Sequence, residues 1–229
     1  MSDTAAPDDM IASGGLNIRL DRDVLSPRLI KALKKDDYEN KEADAMTNLV
    51  RPHDVVMELG GGIGYMSSLA AKCCHKGEVH SFEANPHLIP FIKRVHAGND
   101  LTNVHVNNAL LGPQPGRTTC YVRKNLLASS MDRMDGTNIT SEEQIEIRNA
   151  RSESQRIKPT ILICDIEGAE QMVIPLLDLS TFRSAVIELH PQWIGADGVR
   201  AVFQAMMDAG LVYAARRSVA KVVCFKRNF

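Results

Sequence analysis

The chain is predicted to fold as a doubly wound α/β sheet, mostly parallel, and three observations carry that expectation. Short, largely apolar runs at residues 55–59, 78–83, 160–165 and 183–189 alternate with stretches of helical spacing at 63–75, 168–179 and 197–209. That βαβ alternation is the signature of a sheet with helices on both faces. A glycine cluster, Gly60-Gly61-Gly62-Ile63-Gly64, follows the first run directly. Sheets of this kind bind ligands beyond the carboxyl ends of their strands.

Taken in order, residues 1–24 are rich in Ala, Asp, Gly and Ser and are expected to form a loosely ordered N-terminal arm. Residues 25–49 have helical spacing, with Ile30, Leu33, Ala43, Met46 and Leu49 as candidate buried positions, an N-terminal helical extension to the sheet. Arg51-Pro52-His53-Asp54 breaks that pattern. Residues 55–59 are then a buried strand, 63–75 a helix and 78–83 a second strand, with Pro86 suited to the first turn of the next helix. Residues 103–107 form a third strand, and the Gly112-Pro113-Gln114-Pro115-Gly116 turn leads to another at 118–123.

Residues 124–158 differ. They are polar and lack aromatics, with only a short strand expected at 144–148, so they read as an insertion or lid within one domain spanning 25–229. Strands at 160–165 and 183–189 and helices at 168–179 and 197–209 complete the wound unit. Strands at 211–216 and 220–226, joined by a tight turn, are expected as an antiparallel hairpin on the sheet edge.

With 27 basic and 28 acidic residues the net charge is −1, which provides no long-range attraction for nucleic acid or an anionic membrane. Neither is expected as a partner. The N-terminus has no basic start followed by an apolar run, and no stretch approaches the ~20 apolar residues of a bilayer span, so a cytoplasmic location is expected. Five cysteines without CxxC spacing argue against thiolate metal sites and a disulfide framework; Cys164 and Cys224 read as core residues. His53, His75, His80, His87, His96 and His105 show no metal-ligand spacing and are expected on the surface or on strand faces. The oligomeric state is not legible.

The glycine loop follows a strand and opens a helix, and an acid, Glu83, ends the second strand, where it can accept hydrogen bonds from ribose hydroxyls. A dinucleotide site would carry GxGxxG, but the registers from Gly60 and Gly62 end on Tyr65 and Ser67. That disfavours a nicotinamide oxidoreductase. The pattern is instead ExGxGxG, with Glu58 just inside the strand. S-adenosyl-L-methionine has no pyrophosphate, and its ammonium group suits a carboxylate such as Glu58. It is therefore the expected cofactor.

With these residues in view, the chain resembles the FkbM family of class I methyltransferases from about Tyr38 to Val223. The segments that carry the resemblance are Tyr38-Glu39, VVMELGGGIGYMS at 55–67, VHSFEANP at 79–86, VHVNNALLG at 104–112, ILICDIEGAE at 161–170 and VIELH at 186–190. DIEGAE is the most telling. The resemblance implies a Rossmann-like methyltransferase in which Gly60, Gly62 and Gly64 line the methionine and ribose portion and Glu83 binds the ribose hydroxyls. It also implies that Asn108 and Ala109 flank the adenine, and that the acceptor is a hydroxyl on a sugar or other natural product. Glu58 stands where many members have Asp, and Gly61 where many have Ala. Residues 144–148 replace a Thr-Leu-Asp strand imperfectly, in the region that commonly shapes the acceptor site.

Methylating a hydroxyl requires orientation and removal of a proton. Asp165 and Glu167 are two apart at one strand end, and Glu188 and His190 two apart at another, so each pair shares a side if the strands continue. His190 is the candidate base, with Asp165 orienting the acceptor or acting as base itself and Glu167 beside them. The same set would suit a divalent cation, but its spacing is not diagnostic and no metal is expected. Plainer roles compete: Glu167 and Glu170 as acids at a helix start, Glu188 as a structural ion-pair partner, His190 as a strand cap. The rival functions are an N-methyltransferase and a non-catalytic cofactor-binding regulatory module.

Overall fold

The computed structural model of the chain describes residues 9–123 and 139–228. A hairpin, β1 (Met10–Ser13) and β2 (Leu16–Arg19), leads to α1 (Pro27–Leu33) and α2 (Asn40–Thr47). The wound unit then runs β3 (Val55–Leu59), α3 (Tyr65–Cys73), β4 (Glu78–Phe82), α4 (Ile89–Ala97) and β5 (Val104–Asn107). After β6 (Ala109–Gly112), β7 (Gly116–Arg123), β8 (Ile139–Asn149) and α5 (Ala150–Ile157), it resumes with β9 (Ile161–Cys164), α6 (Glu170–Val173) and β10 (Ser184–Glu188). α7 (Pro191–Asp208), β11 (Val212–Tyr213) and β12 (Val222–Lys226) complete it.

The main sheet has seven strands in the order β11-β12-β10-β9-β3-β4-β5. β3 pairs in parallel with both β4 and β9, and β10 in parallel with β9, while β12 runs antiparallel to β10 and to β11. The doubly wound expectation holds, antiparallel edge included. The chain winds outward from β3 to β5 and returns on the other side of β3 as β9. The crevice between β3 and β9 is therefore the topological switch point, where neighbouring connections leave toward opposite faces.

Alternation along the strands splits the core in two. Val56, Val79, Ile161, Ile163, Val186 and Cys224 face one layer with α2, α3 and the N-terminal hairpin. Met57, Phe82, Leu162, Cys164, Ile187 and Phe225 face the other with α5 and α7. Both faces being covered, β9 and β10 are buried at every position, as their apolar sequences require.

Four expectations are corrected or refined. The loose arm over 1–24 is, from residue 10 on, a hairpin whose Ile11, Leu16 and Ile18 are buried against α3 and α4. Gly14 and Gly15 turn it with φ of 56° and 73°, the left-handed pair that two-residue hairpins favour. The helical region at 25–49 is two helices, because Asp36 and Glu39 adopt positive φ between them. The insertion over 124–158 holds β8 and α5, and residues 124–138 lie outside the described residues. β8 pairs with β6 in parallel and with β7 antiparallel in a separate three-stranded sheet. The strand expected at 144–148 lies within β8, and since only Ile145 of its eleven residues is buried, backbone pairing on both sides is what extends it. At the C-terminus, β11 is only two residues long and a 3-10 turn at Ala215–Arg217 replaces the tight turn.

Candidate active site

Every candidate site residue except Ala109 reaches the carboxyl-end side of the sheet. The loop after β3 turns with φ of 89° at Gly60, 52° at Gly62 and 77° at Gly64, the left-handed region that glycine adopts without strain. At Gly60 a side chain is also excluded by space, since a Cβ would lie 1.8 Å from the carbonyl oxygen of Asp165. The Asp165 amide in turn donates to the Leu59 carbonyl at 2.9 Å. The glycine loop and the acid after β9 are thus in backbone contact across the switch point.

On the β4 side, Glu83 is buried and its carboxylate is held by backbone amides. Gly62 donates to Oε2 at 2.9 Å and Asn85 to Oε1 at 2.7 Å. Burial pushes its pKa up, while these amides pull it down. Asn108, just after β5, turns its side-chain amide back to the carbonyls of Glu83 and Ala84, at 2.9 and 3.0 Å, tying the two strand ends together. Ala109 is a core residue that opens β6.

Glu58 lies beneath the glycine loop, 1% exposed, with Ser81 donating to its Oε2 and no donor on its Oε1. Burial pushes its carboxyl up to about 8 despite the hydroxyl contacts of Ser81 and Ser67. A buried acceptor without a donor is costly. His96, expected on the surface or a strand face, is buried on α4 behind the same loop, 3.1 Å from Ser67 Oγ, and burial drops its pKa to about 4.

On the β9 and β10 side, His190 is 2% exposed at the N-terminus of α7. Its Nδ1 lies 2.5 Å from Oε1 of the fully buried Glu170. A carboxylate only accepts, so Nδ1 carries a proton and Nε2 is the acceptor of the neutral ring. That Nε2 lies 3.3 Å from Glu167, 3.7 Å from Asp165 and 3.7 Å from Glu188. Glu188 is also in contact with the Lys221 ammonium. Burial lowers the His190 pKa, but the Glu170 hydrogen bond and the charges of Glu167 and Asp165 outweigh it, for a net rise. Burial, then repulsion from Glu188, Glu39 and Glu167, pushes Asp165 well above the usual carboxylate range, with His190 pulling it back. Asp165 Oδ1 and Glu170 Oε2 are buried without a hydrogen-bond donor.

Two contributors were not among the sequence-derived candidates. Glu170 was read as a helix-start acid; its spacing gives no sign that it meets a histidine twenty residues on. Glu39, with Tyr38, is delivered by the left-handed turn into α2. Burial, opposed by a Tyr38 hydrogen bond and reinforced by Glu42, Glu58 and Glu188, lifts Glu39 to about 8. The pairing of Tyr38 with Glu39 was visible in the sequence, but its place in space was not. Glu167 and Gly168 both have positive φ, 47° and 98°, and Gly168 packs under Trp193, where a Cβ would lie 2.8 Å from that of the tryptophan. Trp193 is 54% exposed beside the cluster.

The donor set fits an S-adenosylmethionine molecule. Glu58 Oε1 and Asp165 Oδ1 are buried acceptors without donors, on either side of a glycine loop, in a site rich in carboxylates, and the ligand brings an ammonium and a sulfonium. Among the described residues, no helix is long and apolar enough to cross a membrane.

The family description "Methyltransferase FkbM domain" matches residues 54–213. Among curated proteins, none matches this sequence. Similar solved structures include precorrin-6y C5,15-methyltransferase from Geobacter metallireducens, at 13% identity over 77% of this chain and 72% of that one, TM-score 0.48. A TehB-like SAM-dependent methyltransferase from Corynebacterium glutamicum is similar at 12% identity over 89% and 96%, TM-score 0.47. M. jannaschii TYW2 in complex with AdoMet is similar at 12% over 96% and 86%, TM-score 0.46. At this identity and superposition they carry no functional information about the chain. The family match spans more than half of it, from the start of β3 to the end of β11, and takes in the glycine loop, Glu83 and the DIEGAE segment: the chain belongs to the FkbM methyltransferase family, with S-adenosylmethionine as its cofactor.

Proposed function

We propose that this protein is an O-methyltransferase acting on a hydroxyl of a small molecule or glycan, with His190 as general base. The observation that carries the reading is the contact between Gly60 and the Asp165 carbonyl, which puts a glycine loop built for the cofactor directly beside an acid and histidine cluster. A module that only bound cofactor would have no use for that cluster.

Gly60, Gly62 and Gly64 would line the cofactor's methionine and ribose portion and Glu58 would face its ammonium. Glu83 would accept from the ribose hydroxyls with the lone pairs its amide donors leave free. Asn108 and Ala109 would flank the adenine. When bound, S-adenosylmethionine supplies a methyl group activated by the sulfonium charge. The protein supplies orientation and proton removal. His190 Nε2 takes the hydroxyl proton while Glu170 holds Nδ1 and favours the imidazolium that results. Asp165 orients the hydroxyl or takes the base role itself, 3.7 Å from His190 Nε2. Trp193, with Pro191 and Gln192, forms a wall for the acceptor. The net charge of −1 offers a polyanion no long-range attraction, which disfavours nucleic acid as acceptor.

The test is calorimetry with S-adenosylmethionine, its demethylated product and NAD, followed by a screen of hydroxylated and amine acceptors for the mass gain of one methyl group. Binding of NAD alone, or methylation confined to amines, would overturn the reading.

A further inference from the structure

The histidines read from the sequence as ordinary strand-face residues include a pair that the fold brings together. His80 on β4 and His105 on β5 are direct partners in the parallel ladder, and their rings stack at 4.7 Å with 24° between planes. Glu78 precedes His80 by two residues and so projects from the same face. Its carboxylate spans the two ring nitrogens: Oε1 is 3.0 Å from His80 Nε2 and Oε2 is 3.2 Å from His105 Nε2. His80 Nε2 is buried and, despite that distance, lacks the alignment of a hydrogen bond. One atom from each of the three residues lies within 4.8 Å of the others.

We propose that Glu78, His80 and His105 bind a zinc ion, at a site separate from methyl transfer. Two imidazole nitrogens and a carboxylate oxygen are a zinc donor set, with a fourth position for water. Metal–ligand bonds of about 2.0–2.1 Å around a tetrahedron put ligand atoms about 3.3 Å apart. Each ring nitrogen is already near that edge length from one carboxylate oxygen, His80 from Oε1 at 3.0 Å and His105 from Oε2 at 3.2 Å. The Glu78 carboxylate shares a hydrogen bond with His105 Nε2 at 3.2 Å and leaves His80 Nε2 buried without one. Two adjacent strands fix the donors, and the exposed His105 and partly exposed Glu78 leave a path for entry. The nearby cation, Arg156 on α5, is engaged by Glu153 at 2.7 Å. The site is five residues upstream of Glu83, about 16 Å along β4.

Zinc chloride titrated into the full chain by calorimetry, with thermal melting alongside, tests this. Asp165, Glu188 and His190 also converge, so the titration is repeated on an Asp165→Asn/His190→Ala chain. Wild type and that double variant should both take up zinc and melt higher with it. His105→Ala, an exposed change that leaves the core intact, should weaken uptake by more than about 100-fold, beyond the loss typical of a removed supporting contact. Glu78→Gln should weaken it as well. Undiminished uptake by His105→Ala, no uptake by wild type, or uptake lost only in the double variant would each overturn the assignment.

Discussion

The two halves of the sheet hold their acids differently. On the β4 and β5 side, Glu83 is fixed by the backbone amides of Gly62 and Asn85, and Asn108 locks the neighbouring carbonyls. On the β9 and β10 side, Asp165, Glu167, Glu170 and Glu188 surround one histidine, with Lys221 as the nearby lysine. Backbone amides do not titrate, so the first arrangement offers a permanent acceptor surface suited to holding a ligand. Side chains that stabilise one another do titrate, so the second can move a proton. Asp165 and His190 are both shifted upward, toward the range where a base works near neutral pH. The halves meet where β3 pairs with β9, and there Gly60 lies directly against the Asp165 carbonyl.

The sharpest way to separate the halves is His190→Ala. Turnover should fall by about 10²–10⁴-fold, the usual contribution of a general base, while cofactor affinity changes by no more than a few-fold. Asp165→Ala should behave alike, and retained turnover in either chain would remove that residue from the mechanism. Gly60→Ala attacks the joint between the halves. A Cβ at 1.8 Å from the Asp165 carbonyl, on backbone with φ of 89°, should cost at least about 1–3 kcal/mol and weaken cofactor binding, read by denaturant unfolding and calorimetry.

Glu58 supports a pH prediction. Its carboxyl titrates near 8 when buried without a cation, and an ammonium ligand requires the ionised form. Cofactor affinity should therefore rise with pH up to about 8, by at most about tenfold per unit, and fall again as the ligand's own ammonium loses its proton. Glu58→Gln should flatten that profile, and an unchanged slope would show that Glu58 does not face the ammonium. Glu170→Gln tests the partner of the base His190. Glu170 favours the charged imidazole, so removing its charge lowers the His190 pKa and moves the rising limb of the rate profile to lower pH. A merely structural Glu170 would change the rate without moving the limb.

Much of the fold was legible because its central strands are buried on both faces. Runs such as ILIC at 161–164 leave no other reading, and the glycines after β3 mark where the chain must turn left-handed. The hairpin at residues 10–19 carried a readable signal, two glycines between alternating apolar residues, masked by the composition around it. β8 was legible only over 144–148, since pairing rather than burial makes the rest of it a strand.

The sequence alone determined the wound α/β architecture, the ExGxGxG loop and the acid at residue 83, because these rest on local pattern: apolar runs, backbone sign and strand ends. It also put Asp165, Glu167 and His190 at strand ends. Only the tertiary structure decided that Glu170 grips His190, that Glu39 and Glu58 crowd the same pocket, and that His80 and His105 stack on Glu78. Those are meetings between residues on different elements, set by sheet order and register. Neither can be read from spacing along one segment.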